Sequence, residues 1–108
     1  MNTSAPPDLV ANFDGVLISH AQARIKPVDA QGHMVPVLCM DIELDDYWRH
    51  HLHVEQPFAP DAHQACEAAA HRYRKGTRVT VHAPVVGLQL WATNTTHIHV
   101  HHPEETTT

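Results

Sequence analysis

Residues 45–80 read DDYWRHHLHVEQPFAPDAHQACEAAAHRYRKGTRVT, and the order of elements in this stretch decides the fold. Asp45-Asp46 makes a turn. Residues 47–54 then read as a strand, with His51 and His53 on one face and His50, Leu52 and Val54 on the other. Gln56, Pro57 and Pro60 break it. A helix is expected over residues 61–75. Pro60 and Asp61 suit its start, with the acid near the positive end of the helix dipole. Ala62, Cys66, Ala69 and Tyr73 fall on one helical face, and their small size lets the helix lie close to a neighbour. Arg72, Arg74 and Lys75 crowd the negative end, and Gly76 suits the position just past it. A strand follows over residues 78–86, with Val79, Val81 and Ala83 alternating.

Before this stretch, residues 1–8 (MNTSAPPD) read as a loose tail. Residues 13–26 read as one long first strand, in which Gly15 marks a bulge or sharp bend. Residues 27–32 form a turn cluster. Residues 35–44 form the second strand. Its Leu38, Met40, Ile42 and Leu44 make the core face, and Val37, Cys39, Asp41 and Glu43 share the other. Pro36 belongs at the strand start or on an edge. After it, residues 88–92 continue the fourth strand beyond a bend at Gly87, and residues 93–96 turn. Residues 97–102 make a fifth strand, with Ile98 and Val100 on one face and His97, His99 and His101 on the other. One domain over residues 9–102 is expected, with a short tail over 103–108. Three strands, one helix and two strands is the order of the five-stranded OB-fold barrel, an all-β architecture with a helix between strands three and four.

Within that order, five groups of residues resemble the bacterial and phage single-stranded DNA-binding protein family. They are Gly15-Val16 in strand one, Trp48-Arg49 opening strand three, the alanine-rich helix, its Tyr73-Arg74-Lys75-Gly76 end, and Thr77-Arg78-Val79-Thr80-Val81. The similarity runs over residues 12–101 and is most specific at the junction of the helix and the fourth strand. It implies an OB fold, sequence-tolerant binding of single-stranded DNA in replication or recombination, a homo-oligomer (dimer or tetramer) and no enzymatic activity. The sequence departs from the family in three places. The hairpin after strand four is short (residues 92–96), Ala83-Pro84 stands where the family has glycine, and the chain ends in PEETTT without the acidic-tipped tail that recruits partners. A minimal or primosomal-type relative fits these departures.

The composition agrees with one modest core. Of the 108 residues, 43% are apolar, close to the globular average. A formal charge of −5 excludes a generic polycation but leaves room for a local basic groove. Histidine is the anomaly, at 12 residues. With an unperturbed pKa of about 6.5, this set swings the net charge towards positive just below neutrality. Cys39 and Cys66 stand outside any CxxC motif and read as buried free thiols, which suits a reducing compartment. No apolar run spans a bilayer and the first residues lack a signal peptide, so a cytoplasmic protein without membrane contact is expected.

Binding single-stranded DNA requires cations along the phosphates and flat rings for the bases. The candidate rings are Trp48 and Trp91, assisted by Tyr47. The candidate cations are Arg24, Lys26, Arg49 and Arg78. The competing role for Trp48 is a core or dimer-interface ring. Tyr73 is read as core, and Arg72, Arg74 and Lys75 as a solvated helix end or a phosphate contact. His97, His99 and His101, like His51 and His53, have the spacing of a ladder that can ligate metal. They lack a cysteine or carboxylate partner at a characteristic spacing, so no metal site and no cofactor are expected. Two further classes stay open, an OB-type protein-interaction module and a histidine-based metal binder. No glycine-rich phosphate loop, nucleophile elbow or HExxH motif points to catalysis.

Overall fold

The structure is a computed structural model and describes residues 9–101. The tails expected over residues 1–8 and 103–108, and His102, lie outside the described residues. The elements are β1 (Val10–Leu17), β2 (Gln22–Pro27), β3 (Met34–Leu44), β4 (His51–Pro57), α1 (His63–Arg72) and β5 (Arg78–Pro84), followed by a short 3-10 turn at Val85–Gly87. The five strands pair antiparallel in one open sheet.

β3 is the spine of that sheet. One edge carries β4, from Val37↔Pro57 to Glu43↔His51. The other carries β2 along its first half, from Pro27↔Met34 to Gln22↔Cys39, and β1 at its far end, from Leu17↔Ile42 to Gly15↔Leu44. β5 then pairs along β1, from Val10↔Pro84 to Val16↔Arg78. The long first strand expected over residues 13–26 is therefore two strands divided by a bend at residues 18–21. The bend is pinned by the end of the helix. Leu17 N–H donates to Thr77 O (2.9 Å), Gly76 N–H to Leu17 O (2.9 Å) and Ala21 N–H to Tyr73 O (2.9 Å). Lys75 N–H donates to His20 Nδ1 (2.9 Å). Gly76 permits this junction because it adopts φ +91°, a region open to glycine at little cost.

Gly15 has a further role, set by how close the neighbouring backbone lies. It lies where β1 crosses close over β3, and a Cβ there would fall 2.4 Å from the backbone oxygen of Glu43. Pro36 also differs from expectation, since it is internal to a central strand. Its carbonyl accepts from Phe58 N–H (2.9 Å), just past the end of β4. The side of β3 on which proline lacks a donor is thus the side where the ladder has run out.

The alternation along β3 sorts the two faces as expected. Leu38, Met40 and Ile42 join Leu17, Ala21, Cys66, Ala69 and Ala70 in the core, with Leu44, Leu52, Val54, Val79 and Val81 packed around it. Full burial of a side chain such as Leu17, Leu38 or Ile42 contributes about 1.5–3 kcal/mol. α1 covers this face with the small-residue side predicted for it, and it rests on β2 and β3. The helix is shorter than expected at both ends. Ala62 caps it without a side-chain hydrogen bond. Tyr73 is extended (φ −102°, ψ 91°), since its carbonyl turns to meet Ala21. Tyr73 packs against the core edge, as expected for it.

Among the described residues, the expected fifth strand does not form. Residues 88–101 carry no helix or strand, and the barrel the sequence predicts stays an open sheet. Pro84 and the 3-10 turn at Val85–Gly87 end β5. Alternation alone does not hold a strand without a cross-strand partner and a buried face. Leu90, Trp91, Ile98 and Val100 have neither, at 96%, 81%, 80% and 64% exposed. No helix among the described residues is long and apolar enough to cross a membrane.

Candidate functional site

Tyr47, Trp48 and Arg49 lie in the turn between β3 and β4, not on a strand, which begins only at His51. The turn is longer than Asp45-Asp46 alone because the Asp46 side chain organises it. Its Oδ1 accepts from His50 N–H (2.9 Å) and its Oδ2 pairs with His50 Nδ1. Those bonds hold the Asp46 carboxyl below the usual carboxylate range. Leu44 N–H donates to His50 O (2.8 Å) and closes the hairpin, and Arg49 takes a left-handed φ of 54°. The result is a fixed tip from which both rings project. Tyr47 is 86% and Trp48 73% exposed, with centroids 4.8 Å apart in a T-shaped pair.

The predicted cations lie on the polar face of the sheet or at its end. Each is close to another polar side chain. Lys26 pairs with Glu55. Arg49 reaches Glu43 (3.7 Å), Arg78 pairs with Asp45 (2.6 Å), and Arg24 bonds Gln22. Arg24 and Lys26 lie opposite Val37 and Val35, whereas Arg49 and Arg78 gather near Glu43 and Asp45. At about 3.3 Å per residue along β3, the two groups are roughly 20 Å apart. Trp91 joins neither. It lies in the irregular tract, as do His97, His99 and His101, of which the last two stack edge to face at 5.0 Å.

Between the two basic groups lies a cluster that sequence reasoning missed. Cys39 is cross-strand from Glu55, and Asp41 from His53. His53 places Nδ1 2.8 Å from Asp41 Oδ1 and Nε2 2.8 Å from Glu55 Oε2. Only the imidazolium satisfies two carboxylates at once. The His53 pKa is raised, by the hydrogen bond to Glu55 first and that to Asp41 next. Glu55 is held low by Lys26 first and His53 second. Cys39 is buried with Val35 and Val37 on this face, and desolvation pushes its thiol up. Both cysteines are free and buried. Cys39, His53 and Glu55 are separated by 14 and 2 positions in the chain, so only the β3–β4 register reveals that they meet.

Comparison of the chain with family models, with curated proteins and with solved structures gave no match. The resemblance to single-stranded DNA-binding proteins rests on the residues quoted for it.

The cluster has a definite pH signature. A histidine with a raised folded pKa stabilises fully below its unfolded value of about 6.5 and loses that contribution as pH rises through the folded value. A carboxyl with a lowered folded pKa stabilises above about 4.3 and loses its contribution as pH falls through the folded value. The His53–Glu55 pair therefore contributes most between those limits. Its half-exposed position keeps the effect small. Urea midpoints measured from pH 6 to pH 9 are expected to decline less steeply in His53→Gln than in the wild type. Identical slopes would contradict the paired geometry.

Proposed function

We propose that the chain binds single-stranded DNA with little sequence preference, as an OB-type module serving replication or recombination of a bacterial, plasmid or phage genome. The observation that carries this is the hairpin tip, where Tyr47 and Trp48 stand exposed side by side on a fixed turn. Rings with an apolar body and a polar handle suit contact surfaces, and bases stack on such rings whatever their identity. The element order supports the OB reading: a bent first strand in two pieces, β3, β4, the helix and β5 follow the first four barrel strands and their helix. That architecture binds oligonucleotides on the face of its second and third strands, here the outer face of β3 and β4.

The carboxylates on that face set the strength. Exposed ion pairs are worth about 0–1 kcal/mol, so a phosphate can replace Glu43, Asp45 or Glu55 as the partner of Arg49, Arg78 or Lys26. The exchange leaves stacking as the main source of affinity. Titrating oligo-dT into the protein at low salt is expected to quench tryptophan fluorescence. The logarithm of affinity should fall with the logarithm of salt by about 0.7 per phosphate contact. No quenching at low salt with micromolar protein would remove the proposal.

A second function is favoured by the irregular tract of residues 88–101, whose Leu90, Trp91 and Ile98 face solvent. An OB-type protein-interaction module, forming a homo-oligomer, accounts for those side chains without DNA. A mass above that of one chain, accompanied by no oligo-dT binding, selects it. The two free thiols suit a cytoplasmic setting for either function.

A further inference from the structure

We infer that Cys39, His53 and Glu55 form a zinc site on the outer face of the β3–β4 ladder, with Asp41 orienting the histidine. One ligand atom from each of the three residues lies within 4.8 Å of the other two. In a zinc site the bonds are about 2.0–2.3 Å long, which places tetrahedral donors about 3.5 Å apart. Side-chain rotations of roughly an ångström close the difference. The donor set is one thiolate, one imidazole and one carboxylate, the borderline mixture that zinc takes, and a fourth position stays open for water.

Two features distinguish this cluster from an ordinary patch of surface charge. First, Asp41 Oδ1 already holds His53 Nδ1 at 2.8 Å, leaving Nε2 directed at Glu55. A carboxylate behind the far nitrogen of a ligating histidine fixes its tautomer and orientation. Second, Cys39 turns its sulfur to the polar face, where among the described residues its one hydrogen-bond acceptor is the Val37 carbonyl, at 3.9 Å. A shallow cleft lined by Ser19, His20, Gln22, Arg24, Cys39 and His53 opens beside it and gives an ion a route in. Binding releases the Cys39 thiol proton and the His53 Nε2 proton. It also displaces Lys26, which now pairs with Glu55 Oε2.

The test uses Co²⁺ as a spectroscopic stand-in for zinc, on the full chain without an affinity tag. One equivalent is expected to bind with a thiolate-to-cobalt charge-transfer band in the near ultraviolet, and Zn²⁺ is expected to bleach it. The band should persist in Cys66→Ala and in the triple variant His97→Gln, His99→Gln, His101→Gln. It should vanish in Cys39→Ala and in His53→Ala. Asp41→Asn should weaken binding about 10- to 100-fold, as loss of a partner behind the ligand does, and Lys26→Gln should strengthen it. Far-ultraviolet circular dichroism of each variant establishes that it is folded. If Cys39→Ala is not, the folded His53→Ala and Asp41→Asn variants decide. Cobalt binding without a thiolate band, a band that survives His53→Ala, or a band lost with Cys66 or the three tract histidines would each overturn the site. None of these outcomes depends on whether the protein binds DNA.

Discussion

Gly15→Ala is expected to lower the stability of the fold by about 3 kcal/mol, the upper part of the range for forcing atoms into filled space. The added Cβ would fall 2.4 Å from Glu43 O, 3.0 Å from Glu43 C and 3.2 Å from Leu44 Cα. All three are backbone atoms of β3, so no side chain can rotate aside. β1 must lift away, and β5, held only along β1 in the sheet, lifts with it. Gly87→Ala supplies the contrast. Its nearest neighbour is a Pro84 side-chain carbon at 3.6 Å, and a change within about 0.5 kcal/mol is expected there. In urea, Gly15→Ala should shift the midpoint sharply at unchanged slope and Gly87→Ala should not. Equal midpoints for the two would mean that β1 does not cross β3 as described.

The second large effect concerns binding. Replacing Tyr47 and Trp48 together by alanine is expected to remove most of the affinity for oligo-dT. One stacked base is worth about 1–3 kcal/mol, which is about five- to 150-fold in the dissociation constant. The stability should hardly change. Neither ring is buried, and the turn is fastened by Asp46 and His50, not by the rings. Substitutions at such sites stay within about 0.5 kcal/mol. Binding intact in the double variant would contradict the hairpin tip as the stacking site. A loss of stability or a change of mass would instead reveal rings that pack against protein.

Much of the fold was legible in single residues. The alternation of Leu38, Met40 and Ile42 against Val37 and Cys39 reported the two faces of β3 correctly, since a side-chain period of two leaves no third choice. Cys66 and Ala69 reported the buried helix face in the same way. The bend at residues 18–21 was not legible because contacts about 55 positions away impose it, through Tyr73, Lys75 and Gly76. Residues 97–101 misled because Ile98 and Val100 alternate as well as any strand, and alternation does not say whether a partner edge exists. The candidate site was legible in part. Tyr47 and Trp48 were recognisable as exposed rings, although placed on a strand and not a turn. The carboxylate partners of Lys26, Arg49 and Arg78 were invisible, because each pairing depends on register or on how a turn folds back.

The staple between residues 17–21 and 73–77 also governs the order in which the molecule can assemble. β2, β3 and β4 form a local meander whose turns are short. The strap to the helix end and the β1–β5 ladder join positions separated by 52 (Ala21 to Tyr73) to 74 residues (Val10 to Pro84). Closing loops of that length costs chain entropy before any contact repays it, and such non-local pairing places folding in the slow, millisecond-to-second class. A ribosome delivers β5 last among the strands. Until it arrives, the core edge that Val79 and Val81 will line stays open, and the nascent chain is a half-covered meander waiting for its final strand.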